Sequence, residues 1–111
     1  MSDVINCPVE TTLVLINNKW KVLIIRDLLD GTKRFGELKS SIGSITQKVL
    51  TSNLRTMEQQ GLVIRTVFPE IPPRVEYSLT ETGHSLKPIL DAMFIWGEDY
   101  KNNLNNKTNA S

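Results

Sequence analysis

The chain has 111 residues, 40% of them hydrophobic and 23% charged, and a formal net charge of +1 at pH 7. That length indicates a single domain of ordinary globular composition, with no apolar run near the roughly 20 residues of a membrane span and, in residues 1–6, neither the basic start nor the apolar stretch of a signal peptide. A single cysteine, Cys7, excludes an intrachain disulfide, and one histidine, His84, leaves too few ligands for a structural zinc site, so a reducing, cytoplasmic location without cofactor is expected.

Pro8 suits the first turn of a helix that residues 9–16 carry on, with Cys7 immediately before it. Asn17-Asn18 interrupts. Residues 19–29 resume a helix, with Trp20, Leu23, Ile24 and Leu28 at helical spacing, and Asp30-Gly31 stops it. Residues 35–42 form a short amphipathic helix with Phe35, Leu38 and Ile42 inward. Gly43-Ser44-Ile45 is a tight turn, and Thr46 stands where an N-cap belongs. The helix of residues 47–60, closed by Gly61, turns Val49, Leu50, Leu54 and Met57 inward and shows Gln47, Lys48, Thr51, Ser52 and Arg55 outward.

After Gly61 the period changes to that of strands. Residues 62–68 are β-rich, the Pro-rich residues 69–73 break the run, and in residues 74–79 Val75, Tyr77 and Leu79 alternate with Arg74, Glu76 and Ser78. The result is a hairpin with a projecting tip. Thr80 is placed to cap a final helix dominated by Leu86, Ile89, Leu90, Met93, Phe94, Trp96 and Tyr100. Pro88 lies inside that helix, which predicts a kink or break. Residues 102–111 are polar and Asn-rich and read as a frayed or disordered tail to a single domain of residues 1–101.

Two short helices joined by a tight turn and followed by a hairpin describe a winged helix-turn-helix, an α+β and mainly α fold. Charge follows the same division: residues 33–74 carry a net +4, while both flanks are slightly negative. Thr46, Gln47, Lys48, Thr51, Ser52 and Arg55 offer hydroxyl, amide, ammonium and guanidinium groups suited to base edges in the major groove. Lys33, Arg34, Arg65 and Arg74 are better placed for phosphates. A plain solvated face remains the competing reading of these residues. His84 reads as solvent-facing, and Trp20 and Tyr77 as core. No Ser/His/Asp set, paired-carboxylate motif or Gly-rich phosphate loop points to an enzyme.

The chain resembles the HxlR-type family of winged helix-turn-helix regulators, relatives of the MarR group. The resemblance rests on Cys7-Pro8, Lys19-Trp20, Arg34-Phe35-Gly36-Glu37-Leu38, Ile45-Thr46-Gln47-Lys48-Val49-Leu50 and Glu58-Gln59-Gln60-Gly61-Leu62-Val63. It continues through Pro72-Pro73-Arg74-Val75-Glu76-Tyr77-Ser78-Leu79-Thr80, Gly83, Pro88 and Trp96-Gly97. Asn17-Asn18 departs from it, since the family often has a glycine pair there. The resemblance implies a homodimeric transcription regulator with recognition helix and wing on double-stranded DNA.

The final helix is too apolar for a lone surface helix, so with the first helix it is assigned to dimerisation through Leu13, Ile89, Met93, Trp96 and Tyr100. The competing reading has Met93, Phe94 and Trp96 covering the monomer's own core. In several branches of the family a cysteine before proline senses oxidants or electrophiles. Carried over, that residue is Cys7, at a helix start that favours a reactive thiol. The other readings of Cys7 and the scaffold are an unreactive small hydrophobe, a small-molecule effector bound at the dimer junction, and a winged helix that docks a protein.

Overall fold

The computed structural model describes residues 7–110, with side chains through residue 106. Residues 1–6, expected to carry no signal peptide, lie outside the described residues. Helix α1 (Pro8–Leu15) starts on its proline and buries none of its residues. Helix α2 (Lys19–Leu29) begins at Asn18, whose side chain accepts the Lys21 backbone N–H at 3.0 Å. Asn18 is extended (φ −145°, ψ 159°), so this turn needs no glycine and the asparagine satisfies an orphan donor instead. Lys21 is 5% exposed; its Nζ donates to the Val14 carbonyl at 3.3 Å, placing the cation at the negative end of α1.

Strand β1 (Lys33–Arg34) leads into helix α3 (Phe35–Ile42), where the Glu37 carboxylate accepts the Arg34 backbone N–H at 2.8 Å. Helix α4 (Gln47–Gln59) is capped as expected: Thr46 Oγ1 accepts the Val49 N–H at 3.1 Å. It ends at Gly61, whose φ of 76° only glycine adopts freely. The Asn18 amide also donates to the Asn53 side chain at 3.3 Å, tying the start of α2 to α4.

Strands β2 (Val63–Phe68) and β3 (Arg74–Leu79) form the hairpin, and β1 adds to its far edge, giving an antiparallel sheet of order β1-β3-β2. Lys33, Tyr77 and Arg65 are directly paired across the three strands, so they share one face. That face also carries Val63, Val75 and Leu79 and closes over the helices.

Two expectations about the C-terminal part are corrected. Thr80 caps a separate single turn, α5 (Glu81–His84), accepting the Gly83 N–H at 3.0 Å. The break falls at Ser85-Leu86, so Pro88 sits in the first turn of helix α6 (Lys87–Ala110), where its missing N–H costs nothing. The expected frayed tail from Asn102 is instead helical as far as Ala110. At Gly83 any Cβ would collide with the Leu62 carbonyl oxygen, so this close approach admits only glycine.

The core lies between α2, α3, α4 and the sheet. Ile24, Ile25, Leu38, Leu50, Met57 and Leu62 are fully enclosed there. Ile25 takes the core position expected of Leu23, which is only half-covered. Tyr77 is 8% exposed, in keeping with a core residue; Trp20 is half-buried and His84 exposed. Among the described residues no helix is long and apolar enough to cross a membrane.

Candidate nucleic-acid interface

Helix α4 is pinned by Leu50, Leu54 and Met57. The helical period therefore turns Gln47, Lys48, Thr51, Ser52 and Arg55 to the outside. These five line one open groove of about 710 Å³, together with Thr56 and Gln59. The last two belong to the same face one turn further on. Thr56 follows Ser52, and Gln59 follows Arg55, at the four-residue spacing that keeps side chains on one helix face. Thr46 sits at the head of this face with its hydroxyl engaged in the cap.

The cations divide into two groups. Among the described residues, no carboxylate lies within 4.0 Å of the charged groups of Lys33, Arg34, Lys48, Arg55 or Arg65. Arg74 differs. Its guanidinium lies 3.3 Å from Glu70 and 3.3 Å from Glu76, and stacks 4.1 Å above the Phe68 ring. It is thus matched in charge within its own hairpin. The wing tip beyond it holds Glu70 and the fully exposed Ile71. Arg34 faces that tip across a groove shared with Phe35 and Gly36. Arg55 and Arg65 come together from α4 and β2 on a cleft of about 310 Å³, with Thr51, Leu54, Glu58 and Tyr77 as its other walls. Glu58 and Tyr77 were not among the expected site residues; no local pattern links positions from α4 and β3.

The expected dimer residues are uncovered in the single chain. Leu13 is 52% exposed, Met93 46%, Trp96 67% and Tyr100 51%, with Ile89 at 40%. Trp96 and Tyr100 stack on each other at 5.2 Å. Met93, Phe94 and Trp96 are 46%, 44% and 67% exposed and are not among the residues packed on the core. Cys7 is a free, half-buried thiol at the start of α1, and its carbonyl accepts the Thr11 N–H at 3.0 Å.

Residues 15–105 match the family of HxlR-like helix-turn-helix proteins. YdeP of Bacillus subtilis (strain 168), an uncharacterized HTH-type transcriptional regulator, is 47% identical over 102 residues, spanning 92% of this chain and 80% of YdeP. Among solved structures, the redox regulator HypR in its reduced form superposes with a TM-score of 0.84 at 46% identity, covering 90% of this chain and 99% of HypR. The reduced form of the transcriptional regulator YodB from B. subtilis superposes with a TM-score of 0.75 at 40% identity, covering 85% of this chain and 93% of YodB.

Fold and exposed helix face together define a winged helix-turn-helix transcriptional regulator rather than an enzyme. The chain belongs to the HxlR-like helix-turn-helix family, among relatives of MarR type.

Proposed function

We propose that this protein binds double-stranded DNA sequence-specifically, as a cytoplasmic homodimer on a pseudo-palindromic operator, and that Cys7 makes it responsive to oxidants or electrophiles. The observation that carries the reading is the outward face of α4. It is continuous, polar and rich in both donors and acceptors, and its cations Lys48 and Arg55 have no ion-pair partner among the described residues. Such a face suits base edges, where each pair presents its own donor and acceptor pattern. Thr46, Gln47 and Lys48, at the N-terminal end, enter the groove deepest. Thr51, Ser52 and Arg55 follow along it. Lys33, Arg34 and Arg65 meet the backbone. Arg74 shapes the wing that carries those contacts.

The homodimer is supported by the seam on α6. Ile89, Met93, Trp96 and Tyr100 recur at steps of four, three and four residues, the spacing of helices that pair along their length. Leaving Trp96 two-thirds exposed forgoes about 3 kcal/mol of apolar burial. A second copy laid along α6, with Leu13 of α1 beside it, recovers that.

The redox reading draws on two relatives. HypR is described as a redox regulator and is known in oxidized and reduced forms, and YodB is known after diamide treatment. The sequence given has one cysteine. Oxidation of this chain thus leads to a Cys7 sulfenic acid, to a mixed disulfide with an external thiol, or to a disulfide between the two Cys7 residues of a dimer. In the last case the two thiols give up two electrons and two protons to the oxidant.

Replacing Gln47 and Lys48 by alanine tests the reading face. Fluorescence anisotropy on an operator duplex and on a mixed-sequence duplex should show the gap between them shrink by about 1–3 kcal/mol per lost base contact. Unchanged affinity and unchanged discrimination in the double variant would remove α4 from the interface.

A further inference from the structure

We propose that the cleft between α4 and β2 is a seat for one backbone phosphate, so that the wing holds DNA at its base and not at its tip. The inference rests on the DNA-binding reading above and assigns one contact within it. Arg55 and Arg65 reach this cleft from elements distant in sequence, and neither has a carboxylate within 4.0 Å among the described residues. Two arginines lining one small space are the residue types that recognise a tetrahedral oxyanion. The cleft, about 310 Å³, has room for one phosphate group.

Tyr77 supplies an independent observation. It is 8% exposed, it lines the cleft, and its phenol hydroxyl takes no hydrogen bond from any described residue. Its hydroxyl is not an enclosed atom lacking a partner, so solvent or a ligand reaches it. Strand register places Arg65 directly opposite Tyr77, so guanidinium and phenol stand side by side on one face of the sheet.

The cleft adjoins the base-reading groove, because Thr51 and Arg55 line both. A strand whose bases meet Lys48 and Ser52 therefore carries its backbone past Arg55 and Arg65. The wing tip offers nothing comparable. Arg74 is held by Glu70 and Glu76, which leaves the tip with no unmatched cation. Within the cleft, Glu58 opposes the two arginines and weakens the seat. That opposition makes Glu58 diagnostic.

The experiment compares the wild-type chain with Arg65→Gln, Tyr77→Phe, Glu58→Gln and Arg74→Gln, using anisotropy on a mixed-sequence duplex across a KCl series. Arg65→Gln should lose roughly tenfold in affinity and lower the salt slope by about one. Tyr77→Phe, which keeps the packed ring, should lose affinity with little change of slope. Glu58→Gln should bind more tightly, and Arg74→Gln should keep the wild-type slope. A wild-type slope in Arg65→Gln, or weaker binding by Glu58→Gln, overturns the seat while leaving the protein a DNA binder. No salt-dependent duplex binding by the wild type overturns the DNA reading itself. Titration with inorganic phosphate separates the two sources of this chemistry. Saturable binding at micromolar concentration, lost in Arg65→Gln but without effect on duplex affinity, assigns the cleft to a free anion and overturns the backbone role.

Discussion

Arg65 and Arg74 stand nine residues apart on the two strands of one hairpin and carry the same charge. Their surroundings separate them. Arg74 is held between Glu70 and Glu76 over the Phe68 ring, while Arg65 has no carboxylate at hand. A tally of charges along the chain treats them as equals, because it counts ions and not their partners. Caps were easier to see. Thr46 and Thr80 sit one residue before helical runs, and both hydroxyls accept the N–H three residues on. Cys7 is legible only as a residue type before a proline, and its proposed chemistry is tested directly. Operator binding by wild type should change after diamide treatment, and the response should be lost in Cys7→Ser. Equal responses in the two proteins would move the switch elsewhere.

Helix α4 was the most legible element, since its apolar set at helical spacing fixes which side chains face outward. Strand β1 was not legible, because two residues are too few to show alternation. The C-terminal end of α6 is helical for a thermodynamic reason. Asparagine-rich segments nucleate helices poorly, but each residue added to an existing helix gains one further hydrogen bond for the one residue it fixes. Residues 102–110 continue a helix that Leu90 anchors in the core, just after the buried Leu86. The proposed role of that helix predicts the outcome of Trp96→Glu, which places a charge in the seam. Sedimentation should show a monomer, and operator affinity should fall about 100-fold or more as two linked half-sites become one. A dimer of unchanged stability would show that α6 is not the interface.

At the scale of the whole molecule the single chain is too open. Its radius of gyration is 16.8 Å, against about 13 Å for a compact domain of this length. Its accessible surface is 7801 Å², against roughly 6,200 Å² expected for its mass. The excess, about 1,600 Å², is comparable to what one subunit loses in a large obligate interface. The exposed surface includes the large apolar side chains of Val9 and Leu13 on α1 and of Trp96 and Tyr100 on α6. These numbers were beyond the sequence, which marks a helix as apolar but not whether its own core reaches that far. A twofold dimer built on the proposed α6 seam would carry two α4 helices, and their spacing is what an operator must match. Selection of bound duplexes from a random pool, followed by sequencing, measures it most directly. The account predicts an inverted repeat whose half-sites are centred about 34 Å apart, one helical turn, or a multiple of it. A pool that enriches no sequence, or only isolated half-sites without symmetry, would contradict it.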